Sequence, residues 1–358
     1  MIGWYAHHHG LGHVSRLQAV AAHLDVPVTG LSSLPAPEGW SGPWVRLARD
    51  DAAALAPGGP TDQTANGTLH WVPRHDPGLA ERTAQVADWV TRTRPGLVVV
   101  DVSVEVALTV RLCGVPVVVV TLPGRRTDPP HRLAHDLADA LLAPWPEGAH
   151  SRDWPESWVG KLAAVGGISR FDGRTPDCRG SGGLGRPPRV LVVWGGGGRQ
   201  TSPAQVEAAR AATPGWEWVE RSPASPSRDL WADLARADVV VTHGGQNAVA
   251  EVAAARRPAV VVAQPRPFDE QVATATAVDR LGMAVGLPAW PTDPDEWPGL
   301  LARARAIGGS RWQHWSSGHG AATAAAVLES LVRKLSTPTP TSTPTPTPGS
   351  AADAVAVS

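Results

Sequence analysis

The chain of 358 residues is long enough for roughly two domains, and 32 Lys+Arg against 33 Asp+Glu leave a net charge of -1. That balance offers no footprint for a polyanion, which sets nucleic acid aside as a partner. With 42% hydrophobic residues the chain is not compositionally disordered, while 37 Gly and 35 Pro imply many turns. Cys113 lies in an apolar run and Cys178 among Gly and Arg, so no disulfide framework or thiolate metal site is implied and a reducing, cytoplasmic compartment fits. The aromatic set, 16 Trp with 1 Tyr and 2 Phe, reads as a compositional bias, with a few indoles expected along a cleft.

Met1 to Ala6 runs straight into histidines without the basic and long apolar regions of an export signal. The most apolar stretch, Leu97 to Val120, contains Asp101, Glu105, Arg111 and a Gly114-Val115-Pro116 interruption, so it reads as strand, helix, strand rather than a membrane span. Only peripheral contact with a membrane is left open.

Short β-branched runs alternate with Ala/Leu-rich segments at helical spacing, which predicts parallel strands joined by helical crossovers. In the first half the strands are Ile2 to Ala6, Pro27 to Thr29, Leu97 to Val102 and Pro116 to Thr121. The helices there are Ser15 to Leu24, Glu81 to Thr93 and Val104 to Cys113. In the second half the strands are Arg189 to Trp194, Trp216 to Glu220, Asp238 to Thr242, Ala259 to Ala263 and Met283 to Val285, and a last helix spans about Gly320 to Leu335. The expected fold class is α/β with two Rossmann-like domains: residues 1–165, a Gly/Pro/Arg-rich linker 166–188, and residues 189–335, followed by a disordered Thr/Pro-rich tail 336–358.

The first Gly-rich turn is His7-His8-His9-Gly10-Leu11-Gly12-His13, with a helix following. Its N–H groups suit an anionic ligand, but Ser15 replaces the third glycine of a dinucleotide fingerprint, which weakens a dehydrogenase. At a positive helix end His13 should stay neutral and able to accept a proton; capping that helix is the bland alternative. Asp101 ends its strand on the crevice side of the same sheet and could orient His13, or else cap the helix beginning near Ser103. Consecutive His7, His8 and His9 point in alternate directions, so they and His13 are not expected to bind a metal. Asp293-Pro294-Asp295 reads as turn chemistry.

Gly195, Gly196, Gly197 and Gly198 follow a strand and let a ligand approach the backbone, unless they are simply a flexible linker. Ser202, Pro203 and Gln205 then predict a capping-box helix start, and no Walker A lysine follows any glycine loop. The most informative stretch runs from Asp238 through His243, Gly244, Gly245, Gln246 and Asn247 to Glu251, one turn beyond Asn247. It pairs a phosphate-binding helix N-terminus with a carboxylate able to accept two ribose hydroxyls. Asp269, Glu270 and Gln271 add acid and amide groups at another helix start, where Asp269 could equally be a cap.

In this order and spacing the chain, over about residues 1 to 335, resembles the GT-B nucleotide-sugar glycosyltransferases. The likeness is greatest to the group that shares the C-terminal domain of the peptidoglycan N-acetylglucosaminyl transferase. The specific part is Asp238 to Gly245, Glu251, Pro258 and Gln271, and Gly10-Leu11-Gly12-His13 looks like the family's N-terminal glycine-histidine element. The resemblance implies an inverting enzyme without cofactor or bound metal, taking a nucleotide-sugar donor, with a UDP-sugar expected, and an unidentified acceptor. It places the ribose on Glu251, the diphosphate on Gly195 to Gly198 and His243 to Gly245, the donor sugar on Glu270 and Gln271, and the base at His13 helped by Asp101. Arg16 and Thr274 stand where the family often has proline and asparagine, so acceptor identity is not inherited. The Gly-x-Gly-His-x-x-Arg start also resembles nucleotide-sugar hydrolases of the same fold, and a non-catalytic nucleotide-sugar sensor is a third reading.

Overall fold

The computed structural model describes residues 1–51, 62–176, 186–196 and 199–336, so Gly197, Gly198, Cys178 and the tail from residue 337 lie outside the described residues. Two separate parallel sheets organise the chain. The first contains β1 (Ile2–Ala6), β2 (Val28–Ser32), β3 (Trp44–Arg46), β4 (Leu97–Asp101), β5 (Val117–Val120), β6 (Ala140–Ala143) and β7 (Leu162–Ala164), in the order β3-β2-β1-β4-β5-β6-β7. The second contains β8 (Arg189–Val193), β9 (Glu217–Arg221), β10 (Val239–His243), β11 (Ala259–Val262) and β12 (Val285–Leu287), in the order β12-β11-β10-β8-β9. Central strands such as Leu97-Val98-Val99-Val100 are buried throughout, because crossover helices cover both faces and leave no reason for polar alternation.

The first half carries helices α1 (Gly12–Ala21), α2 (Pro77–Thr93), α3 (Val104–Leu112), α4 (Pro129–Leu137) and the single turn α5 (Glu156–Val159). The second carries α6 (Pro203–Ala211), α7 (Leu230–Arg236), α8 (Gln246–Ala254), α9 (Glu270–Arg280), α10 (Trp297–Ile307) and α11 (Gly320–Ser336). Helix α11 leaves the second sheet and packs on the first: Ala321, Ala324, Ala325 and Leu328 bury against Val14, Leu17 and Val20 of α1. The chain therefore crosses between the halves twice, and the crossings are tied together by Gly167 N–H donating to Trp315 O (2.7 Å) and Ser316 Oγ donating to Gly167 O (3.1 Å).

Strand order fixes where a ligand can enter. In the first sheet the chain runs outward from β1 to β2 and β3, then returns to the other side of β1 with β4. In the second it leaves β8 for β9 and returns with β10. The loops after β1, β4, β8 and β10 thus diverge at two switch points, where open parallel sheets form their crevices.

Several boundaries differ from those read in the sequence. Helix α1 begins at Gly12 rather than Ser15, and α2 at Pro77 rather than Glu81, where the Asp76 side chain accepts from Leu79 N–H (2.7 Å). The indoles are mainly core: Trp4, Trp145, Trp158, Trp297 and Trp312 are among the largest fully buried side chains. Trp145 and Trp315 do line a small cavity between the halves.

Candidate active site

His13 sits in the first turn of α1, whose N-cap Leu11 provides no side-chain cap. Its Nδ1 is 3.0 Å from Oδ1 of Asp101, which is wholly buried at the end of β4, in register with Ala6 of β1. Adjacent strands thus bring together residues 88 apart in sequence. An ionised carboxylate only accepts, so Nδ1 carries the proton and Nε2 presents its lone pair. No hydrogen bond to Nε2 occurs among the described residues, and the side chain is 17% exposed. Neither residue serves the capping role its position allowed: Ser103 caps α3, its side chain accepting from Val106 N–H (3.3 Å).

Arg16, noted in the sequence only as a departure from the family pattern, completes this group. It lies one turn after His13 on the same face of α1. Its Nη1 donates to both Asp101 oxygens (2.9 and 2.6 Å), and its Nη2 donates to Gln246 Oε1 (2.9 Å) at the start of α8 in the other half. Burial raises the Asp101 carboxyl, but Arg16 and His13 outweigh burial and hold it below the usual carboxylate range.

Opposite α1, Gly245 is the N-cap of α8, again without a side-chain cap. A Cβ on Gly12 would stand 3.1 Å from Asn247 Nδ2, so the two bare helix N-termini face each other across the crevice. The His243 ring fills the space left by glycines: a Cβ on Gly195 would lie 2.6 Å from its Nε2, and one on Gly245 would overlap the ring. His243 Nδ1 accepts from Gly245 N–H (3.0 Å), and burial together with Arg266 lowers its value to about 4, leaving it neutral. Gly196 borders the same space, Gly10 has φ +91, and no Cβ at either would meet a neighbour.

Two expectations about the donor side change. Gln271 is 4% exposed, and its Oε1 is committed to the backbone N–H groups of Gly244 (3.1 Å) and Gln264 (3.0 Å), so it shapes the loop from beneath. The Glu251 carboxylate, expected to take the ribose hydroxyls, is enclosed and already paired through Oε1 with Arg170 Nε at 2.8 Å. Burial pushes its carboxyl above the usual range while Arg170 opposes the shift. Sequence gave no signal for Arg170, which belongs to the connection between the halves.

Phe268 and Asp269 both take left-handed backbone angles (φ 60 and 52), and Asp269 makes no cap for α9. This kink is pinned by the first half, where Arg125 N–H donates to Phe268 O (2.8 Å). The Asp269 and Glu270 carboxylates lie 3.4 Å from the guanidinium groups of Arg125 and Arg126. Glu270 therefore stands at the crevice with a cation already beside it.

Among the described residues, two histidine–carboxylate groups have ligand atoms close enough for a cation: His8, His9 and Asp51, and His70, Asp128 and His131. Their hydrogen bonding favours a different role. Arg82 donates to His8 Nδ1 (3.2 Å) and Arg126 to His131 Nε2 (2.9 Å), which places each ring proton on the nitrogen facing the carboxylates. His131 Nδ1 is accordingly 2.5 Å from Asp128. Beyond the ends of β4 and β5, Val102, Ser103, Val120, Thr121, His131 and His135 are among the residues lining a small pocket.

Residues 224–295 match the model of the glycosyltransferase family 28 C-terminal domain. A curated relative from Rubrobacter xylanophilus, UDP-N-acetylglucosamine–N-acetylmuramyl-(pentapeptide) pyrophosphoryl-undecaprenol N-acetylglucosamine transferase, is 30% identical over 171 residues. That match covers 43% of this chain and 51% of the relative, so the chain spans about half the length of the curated relative it matches. Among solved structures, the glycotransferase of kitacinnamycin superposes with a TM-score of 0.65 at 19% identity, covering 92% of this chain and 98% of that one. Acinetobacter baumannii MurG superposes with 0.60 at 16% identity, covering 93% and 99%. Residues 224–295 are thus similar to the family 28 C-terminal domain, and the chain as a whole, with its two Rossmann-like units, has the GT-B fold.

Proposed function

We propose that the protein transfers a sugar from a nucleoside-diphosphate sugar to a hydroxyl acceptor, with inversion at the anomeric carbon and no bound metal. The observation that carries this reading is the His13–Asp101 pair at one switch point, facing the uncapped start of α8 at the other. The diphosphate would take the free N–H groups of α8 and the loop after β8, and the helix dipole would stabilise its charge on departure. Glu251, one turn into α8, would accept the ribose hydroxyls once Arg170 yields or shares the carboxylate. A UDP-sugar is the donor suggested by the name of the Rubrobacter relative. An acceptor bound in the crevice beside α1 would bring its hydroxyl to His13 Nε2. His13 would take that proton as the oxygen attacks, Asp101 would stabilise the imidazolium, and the diphosphate would leave from the opposite side.

The test is direct. Nucleotide sugars that raise the melting temperature identify the donor, since a ligand at 100 times its Kd adds about 2.7 kcal/mol. His13→Ala should then lower kcat by about 10² to 10⁴ while donor Kd holds, because the base acts in the transition state and the donor is held by the other half. Retained anomeric configuration or near-normal turnover overturns the mechanism. Sugar release with water as sole acceptor, at the rate seen with any alcohol, would assign hydrolysis instead.

A further inference from the structure

Arg16 is 6% exposed, yet it belongs to neither the proton-transfer pair nor the phosphate-binding backbone. One of its nitrogens is spent on Asp101, the residue that orients His13, and another reaches Gln246, the first residue of the helix assigned to the diphosphate. A single planar guanidinium therefore spans the crevice, with its charge balanced on one side and an amide oxygen on the other. The Gln246 Nε2 is buried without a hydrogen-bond partner, so the amide gains little in this position apart from its contact with Arg16.

We infer that Arg16 is a positioning residue that latches the donor helix to the His13–Asp101 pair, so that the base is aligned only when the two halves are closed on each other. Its catalytic part rests on the transferase reading; its conformational part does not. With the latch made, the Asp101 oxygens are held between Nδ1 of His13 and Nη1 of Arg16, which fixes the imidazole plane and aims Nε2 into the crevice. With the halves apart, Arg16 loses Gln246 and can follow its own flexible stem, and Asp101 loses one wall of its seat.

The conformational part is read by amide hydrogen exchange on the full chain without substrate. Gln246→Leu removes the contact between the halves and should speed exchange of the first hydrogen-bonded amides of both helices, at 15–18 and 249–252, by about tenfold or more, the effect of losing one charge-assisted hydrogen bond. Gln246→Glu, which can still accept from Arg16, should keep the slow exchange. Unchanged exchange in Gln246→Leu overturns the latch. The catalytic part is read with Arg16→Lys, which keeps the charge but cannot reach both partners. It should lower kcat about 10- to 100-fold with nucleoside-diphosphate Kd unchanged. A lower melting temperature with normal kcat would reduce Arg16 to a structural ion pair. Should the unaltered protein turn over no nucleotide sugar, the transferase reading fails while the exchange result still decides the latch.

Discussion

Asp101→Asn isolates the charge at the centre of the site. Asn keeps the volume of the side chain but has only one acceptor oxygen, whereas Asp101 accepts from His13 on Oδ1 and from Arg16 on both oxygens. Whichever way the amide turns, its NH₂ group meets a donor, and Arg16 becomes a buried cation without a counter-charge. Removing one partner of a buried pair costs about 3–5 kcal/mol; the retained acceptor favours the lower end, about 3 kcal/mol. At roughly 2–4 °C per kcal/mol for a unit of this size, calorimetry should show a drop of about 6–12 °C. The pH dependence has a defined sign. The folded carboxyl lies below its unfolded value of about 3.9, so the stabilisation is fully present above that value and is lost as pH falls through the folded value. The part of the gap carried by the carboxylate should therefore close in acid below about pH 4. Equal stability at neutral pH, or a gap undiminished in strong acid, would refute the reasoning.

Other outcomes follow from the same contacts. Arg170→Ala should raise the Glu251 carboxyl further, since burial already raises it and Arg170 is what opposes the shift. Nucleoside-diphosphate affinity, measured by calorimetric titration, should then weaken at a higher pH than in the parent as the solution is acidified. Gly245→Ala would drive a methyl group into the His243 ring and should cost about 1–3 kcal/mol, with weaker nucleotide binding as the α8 start shifts. Ser202→Ala removes half of the capping box at α6, where Ser202 Oγ accepts from Gln205 N–H (3.2 Å) and Gln205 Oε1 from Ser202 N–H (2.8 Å). It should lower stability by about 1 kcal/mol in a denaturant melt and leave any activity untouched.

What the sequence made legible was whatever is encoded locally. Valine runs ending in glycine announce buried parallel strands and their loops, and Ser202-Pro203-x-Gln205 announces a helix start. Asp101 and His13 could be paired on paper because both follow central strands of one sheet. Edge strands such as β3 and β7 span three residues each, too short for a pattern to emerge. Helix α4 opens on Pro129-Pro130, which suits a first turn, but its nine residues are too few for a periodic pattern to announce it. The pairs Arg16–Gln246, Arg170–Glu251 and Arg126–Glu270 join segments that periodicity cannot relate, since each depends on how the halves dock.

The return of α11 to the first sheet has a consequence for biosynthesis. Leu17 and Val20 leave the ribosome early, but Ala321, Ala324 and Leu328, which cover them, are translated some 300 residues later, a separation seen directly where Asp25 N–H donates to Glu329 Oε1 across 304 positions. The nascent first half must wait with an apolar stripe of α1 bare, while the second half can finish its own sheet first. Helix α1, made long before α11, is thus completed only when α11 arrives, and that docking is a high-separation contact of the kind that slows folding and invites chaperone capture of the waiting intermediate.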